Sequence, residues 1–161
     1  MLITGMPGTG KSTVFGELAA RGYRAVDVDQ PEWSEYRSLA GADGAVRREW
    51  VWREERVAEL LADEGADVLF ISGCASNQVR FYPQLDAIVL LSAPAEVLLE
   101  RLATRTTNSY GKSAEERAEV LENVRTIEPL LRRTATVEID TRQPIEQVVA
   151  EVVALSQSDG T

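Results

Sequence analysis

Residues Gly5 to Ser12 read GMPGTGKS, a full match to the pattern GxxxxGK[ST], and Thr13 follows directly. Gly5, Gly8 and Gly10 let successive backbone N–H groups converge on phosphate oxygens, with Met6, Pro7 and Thr9 completing the turn. The helix that follows adds its positive end, the Lys11 ammonium reaches the β- and γ-phosphates, and the Ser12 hydroxyl is a Mg²⁺ ligand. With 11 glycines, two lysines and 21 serines or threonines in 161 residues, such a match arises by chance in roughly one chain in a thousand. A plain glycine turn would not need the lysine, in a chain with 15 arginines and only two lysines. The chemistry indicated is binding of a nucleotide triphosphate.

Asp27 and Asp29 are a second pair with a chemical spacing. Two residues apart on one strand, both carboxylates point to the same face, at the carboxyl end where open α/β sheets hold ligands. The third strand ends Ile71-Ser72-Gly73-Cys74 with no acid, so a metal on the triphosphate must take its carboxylate from elsewhere, and Asp27 is the candidate. The chain has no histidine and one cysteine. That excludes Ser-His-Asp and Cys-His nucleophilic sites, Cys/His zinc sites and an internal disulfide. Seventeen cations against 26 acids give a net charge of −9, a field that repels duplex nucleic acid and anionic membrane. No apolar run approaches a membrane span and no signal-peptide pattern opens the chain, so a cytoplasmic protein is expected.

The elements that must position these residues alternate short apolar runs with helical stretches, the signature of a parallel sheet covered on both faces. A length of 161 residues and a composition of 44% hydrophobic and 27% charged residues suit one globular domain. Strands are predicted at 2–4, 25–28, 68–72, 87–91 and 136–139. Helices are predicted at 11–21, closed by Gly22, at 94–105 and at 144–155. A charged amphipathic helix is expected over 46–64, with Val46, Trp50, Val57, Leu60 and Leu61 on its inner side. Ser113-Ala114-Glu115-Glu116 fits a capping box opening a helix that Pro129 should kink or split. Residues 156–161 read as a frayed tail.

Taken together, the loop, the strand ending Asp27-Val28-Asp29, the arginine-bearing segment after the fourth strand and the turn after the fifth resemble the small P-loop kinases. These are the nucleoside-monophosphate kinase, shikimate kinase and gluconate kinase superfamily, and the resemblance spans essentially the whole chain. It implies a three-layer fold with a five-stranded parallel sheet, an acceptor subdomain at 30–64 and a lid at 105–117. It also implies ATP and Mg²⁺ as cofactors and a small-molecule acceptor as partner, in a monomer or homodimer. Carried over residue by residue, Asp27 becomes the metal-side acid and Asp29 the group that orients the acceptor hydroxyl. Arg101 and Arg105 close on the transferring phosphoryl group, and Arg142 in Thr141-Arg142-Gln143-Pro144 stacks on the adenine ring. No NKxD-type guanine-reading motif is present, and 161 residues leave no room for the helical subdomain of an AAA+ motor.

The acceptor side stays open. The shikimate-kinase triple glycine is replaced by Gly73-Cys74-Ala75-Ser76-Asn77, and the DGFPR-like sequence of adenylate-type kinases is absent. All three tryptophans (Trp33, Trp50, Trp52) fall in 30–64 with Tyr36 and several arginines. In one reading Trp33 and Arg53 meet the acceptor, ring against ring and guanidinium against an anion, with Gly73 beside them. In the other the rings are a small core and the arginines pair with Glu49, Glu54 and Glu55 at helical spacing; Trp50 falls on the buried stripe. A nucleoside or nucleoside-monophosphate kinase, and a regulatory nucleotide-binding protein that phosphorylates no metabolite, remain alternatives.

Overall fold

A computed structural model of the chain describes residues 1–158. Five strands form one parallel sheet: β1 (Leu2–Thr4), β2 (Arg24–Asp27), β5 (Leu69–Ser72), β6 (Ile88–Ser92) and β7 (Val137–Asp140), in the order β2-β5-β1-β6-β7. The remaining two, β3 (Ser34–Ala40) and β4 (Val46–Trp52), make a separate antiparallel hairpin. The three inner strands β1, β5 and β6 are almost wholly apolar runs because both faces are covered, while the edge strands β2 and β7 carry charged residues. Ile3, Val89 and Leu91 pack with Phe70 against Val14, Phe15 and Leu18 of α1 (Lys11–Ala20) and Val148, Val149 and Val152 of α6 (Ile145–Ser158). Alternate residues face the other way: Leu2, Ile71 and Ile88 pack on Val57 and Leu60 of α2 (Glu54–Ala62), with Trp52 and Phe81. Leu90 packs with Met6, with Leu98 of α3 (Ala95–Thr104) and with Leu131 of α5 (Glu128–Thr134).

The helix expected over 46–64 is half strand. Residues 46–52 pair with 34–40 around a turn in which Gly41 N–H donates to Ala45 O and Gly44 takes a φ of 75°. The 3.6-residue spacing of Val46, Trp50 and Val57 competes with a β-branched and aromatic run, Trp50-Val51-Trp52, and in this context the pleat prevails. The Asp43-Gly44 pair is the hairpin signal that locates the turn. Trp50 accordingly leaves the buried helical stripe and lies half-buried with its ring edge on Tyr36 at 4.7 Å, while Trp52 is fully buried. The expected ion pairs at helical spacing are replaced as well: Arg47 pairs with Asp43, Arg37 and Arg53 both pair with Glu35, and Arg80 pairs with Glu54.

The other predicted elements agree to within three residues, and one element not expected, a 3₁₀ helix over Gln78–Gln84, lies between β5 and β6. The capping box forms, Glu116 N–H donating to Ser113 Oγ and Ser113 N–H to Glu116 Oε2, and it opens α4 (Ala114–Thr126). Pro129 separates α4 from α5 at Ile127. Residues 156–158, expected in a frayed tail, belong to α6; residues 159–161 lie outside the described residues. No described helix is long and apolar enough to cross a membrane.

Candidate active site

The phosphate loop leaves the carboxyl end of β1, the central strand, and runs straight into α1. Gly5 and Gly8 are fixed there by shape. A Cβ on Gly5 would sit 2.4 Å from Leu91 O, and Gly8 has a φ of 87° with Leu98 O only 2.9 Å from where a Cβ would stand. The turn is held from inside by Thr9, whose buried hydroxyl donates to Met6 O at 2.8 Å. The Lys11 ammonium folds back over it, donating to Gly5 O at 2.5 Å and Met6 O at 3.2 Å. Ser12 and Thr13 stand in the first turn of α1 and, with residues 7–11, line a cavity of about 760 Å³.

Strand order places two different walls on either side of this loop. On the β2–β5 side stand Asp27, Asp29, Gln30 and Ser72; on the β7 side stand Thr141, Gln143, Ile145 and Val148. Asp27 closes β2 and accepts from Gln30 Nε2 at 2.7 Å and from the Asp29 N–H at 3.1 Å. Asp29 lies half-buried beneath it. Its two oxygens share the Cys74 N–H at 3.1 and 3.0 Å, and the Trp52 indole N–H points at Oδ1 from 3.5 Å. Burial raises the Asp29 carboxyl to about 6, against the opposing pull of the Lys11 charge and the Cys74 N–H. Gly73 makes this fit possible, because a Cβ there would lie 2.8 Å from Asp29 Oδ1. Burial pushes the Cys74 thiol up, away from the thiolate form.

The arginines of α3 take up different tasks. Arg101 forks between two segments, donating to Gly8 O at 3.3 Å and to Thr141 Oγ1 and O at 2.8 and 2.7 Å. It ties the phosphate loop to the β7–α6 turn. Arg105 lines the cavity, donates to Tyr110 O at 2.8 Å and keeps a buried Nε without a partner; burial lowers its pKa. Lys112 and Arg117 are spent on structure: Lys112 caps α3 through Ala103 O and Arg105 O, and Arg117 donates to Lys112 O. Replacing Arg101 with Ala should cost about 1.5–3 kcal/mol of stability, the range for hydrogen bonds to a charged group. Nucleotide affinity should fall about tenfold with it, and Arg101→Lys should recover little, having no fork. Melting curves with and without an ATP analogue measure both.

Three residues expected at the site stand apart from the cavity. Arg142 pairs with Asp140 in an exposed ion pair, and its neighbours Thr141 and Gln143 line the wall instead. Trp33 borders a shallow surface depression with Arg24, Arg56 and Asp63. Arg53 pairs with Glu35 at 2.8 Å. Sequence reasoning passed over Gln30, Thr107, Asn108 and Tyr110, which line the cavity. Their only sequence signal is their place just after Asp29 and inside the arginine-bearing segment. Tyr110 is held by Glu119 at 3.1 Å and its hydroxyl is pushed up to about 12, chiefly by burial.

A family model described as an AAA domain matches residues 1–122. Shikimate kinase 2 of Yersinia enterocolitica is 30% identical, the alignment covering 95% of this chain and 92% of that one. A protein of Archaeoglobus fulgidus provisionally named as an adenylate kinase is 32% identical over 98% of this chain and 82% of its own length. The solved shikimate kinase of Acinetobacter baumannii, in complex with shikimate, superposes with a TM-score of 0.64 at 21% identity, covering 99% of this chain and 93% of that one. With a phosphate loop at the carboxyl edge of the same parallel sheet, the chain belongs to this family in its small P-loop kinase branch, as an ATP-dependent phosphotransferase.

Proposed function

We propose that the chain transfers the γ-phosphoryl group of Mg²⁺-bound ATP to a hydroxyl group of a small acceptor, by a shikimate- or gluconate-kinase-like mechanism. The observation that carries the reading is Asp29. It is a half-buried carboxylate anchored on a backbone N–H, within the field of Lys11, with a pKa of about 6. A general base works best when its pKa lies just below the working pH, so that it is ionised yet still basic.

In this reading backbone N–H groups of the loop from Gly8 to Ser12 and the Lys11 ammonium hold the triphosphate. The acceptor oxygen attacks the γ-phosphorus, the bond to the β–γ bridging oxygen breaks, and the acceptor proton passes to Asp29. Arg101 holds the loop against the adenine-side turn, and Arg105 faces the transferring oxygens. Residues 105–117 form the lid, and 30–64 the acceptor subdomain. Ser12 and Asp27 fit a Mg²⁺ ion by their chemistry, a hydroxyl and a carboxylate lining the same cavity. No group of three or more His, Cys, Asp or Glu among the described residues could cage a metal by itself. That suits an ion that keeps waters and phosphate oxygens and takes only one or two from protein. When bound, it offsets negative charge on the phosphoryl oxygens. The setting is cytoplasmic.

ATP labelled at the γ-phosphate, incubated with the protein and a small-molecule extract, tests this reading. Label should appear in a phosphorylated metabolite. Release only as inorganic phosphate, at one rate with or without extract, would assign a regulatory nucleotidase instead.

A further inference from the structure

The acceptor's charge can be read from the wall it must touch, granted that Asp29 is the base that takes its proton. Strand order puts the β7-side wall, with Thr141 and Gln143, on one side of the phosphate loop and the β2-side wall on the other. An acceptor hydroxyl delivered to Asp29 must lie along the second. That wall consists of Asp27, Asp29, Gln30 and Ser72; Thr107 and Asn108, from the segment after α3, line the same cavity. Among the described residues, the cations lining the cavity are Lys11, Arg101 and Arg105. The first covers the phosphate loop, the second bridges Gly8 to Thr141, and the third holds Tyr110 O.

The arginines that could have met an acceptor anion are engaged elsewhere. Arg37 and Arg53 share Glu35, Arg47 is paired with Asp43, Arg48 lies 4.2 Å over the Tyr36 ring, and Arg56 donates to Glu32 O. None of the five lines the cavity. Glu35 is set between two guanidiniums whose charge a carboxylate-bearing substrate would otherwise use. A carboxylate or phosphate ester brought to this wall would face Asp29 with no arginine of residues 30–64 to receive it, and like charges so placed oppose binding. Hydroxyl and ammonium groups, by contrast, find the Asp29 carboxylate and the Gln30 amide oxygen to donate to.

We infer that the acceptor is an uncharged or amine-bearing polyhydroxy compound, a cyclitol, sugar or amino sugar, rather than a carboxylate or a nucleoside monophosphate. The acceptor class thereby departs from that of the shikimate kinases it resembles.

The test is an ADP-release assay on the full chain with an acceptor panel, run beside calorimetry of a non-hydrolysable ATP analogue on the same preparation. The neutral arm holds inositols, pentoses and hexoses; the cationic arm holds glucosamine and 2-deoxystreptamine; the anionic arm holds shikimate, gluconate and AMP. At least one neutral or cationic compound should be phosphorylated, with kcat/KM on the order of 100-fold above any anion. Turnover led by an anion would overturn the inference, and its loss in Arg53→Gln would return Arg53 to the acceptor site. Absence of turnover with every neutral and cationic compound while the analogue binds would overturn it too. A preparation that binds no nucleotide would instead bring down the kinase reading on which the inference stands.

Discussion

Asp29→Asn should abolish phosphoryl transfer while leaving the protein more stable at neutral pH. The amide keeps the size of the side chain and an oxygen for the Cys74 N–H, but it cannot take a proton. The expected loss in turnover is on the order of 10²–10⁴-fold, the range for a positioned general base, with ATP-analogue affinity unchanged. Stability moves the other way because the carboxyl is destabilised by burial. Its pKa rises from 3.8 to about 6 on folding, so between those values the folded chain holds more protons than the unfolded one. Stability therefore falls as pH rises through that window. Removing the carboxylate should give back about 1–3 kcal/mol above pH 6 and nothing below about pH 4, where parent and variant melting curves should converge. In the parent, kcat/KM should climb with pH and level off above about 6 as Asp29 ionises. A variant that lost activity without gaining stability would have lost its fold around Cys74 and Trp52, not its base.

Lys11→Ala is the second large effect. The ammonium rests on Gly5 O and Met6 O, the two carbonyls that open the loop, and so stands ready over the position that phosphate oxygens must occupy. Deleting one preorganised charge at a site of developing negative charge costs on the order of 10²–10³ in turnover. Binding of an ATP analogue should weaken at least tenfold, while Asp29 loses the cation that holds its pKa down. The pH at which any residual activity levels off should consequently move upward, a signature that a merely weakened loop would not give.

Much of this site was legible in the sequence because its determinants are local. The phosphate loop is a pattern of eight consecutive residues, readable as such even though Gly5 and Gly8 answer to Leu91 O and Leu98 O far along the chain. The Asp27–Asp29 pair was visible by its spacing, but β2 ends at Asp27 and Asp29 stands in the turn beyond it, placed by the Cys74 N–H rather than by strand alternation; the Ser113 cap follows from a four-residue pattern. The acceptor side was not legible to the same degree, because its determinants are long-range. Residues 46–52 suit a helix or a strand, and pairing with 34–40 decides between them; once they pair, every arginine partner on that segment changes. Glu35 holds Arg53 across the hairpin, and no spacing rule for a helix finds it. The task of Arg101 is similar. Its position on α3 was evident, yet the partner that defines it, Thr141, lies 40 residues on.

The most direct measurement is a calorimetric titration of Mg²⁺ and a non-hydrolysable ATP analogue into the parent chain, Asp29→Asn and Lys11→Ala. One nucleotide should bind the parent and Asp29→Asn with matching affinity, and Lys11→Ala at least tenfold more weakly. No heat with the parent, or equal affinity for Lys11→Ala, would contradict a triphosphate seated on residues 5–13.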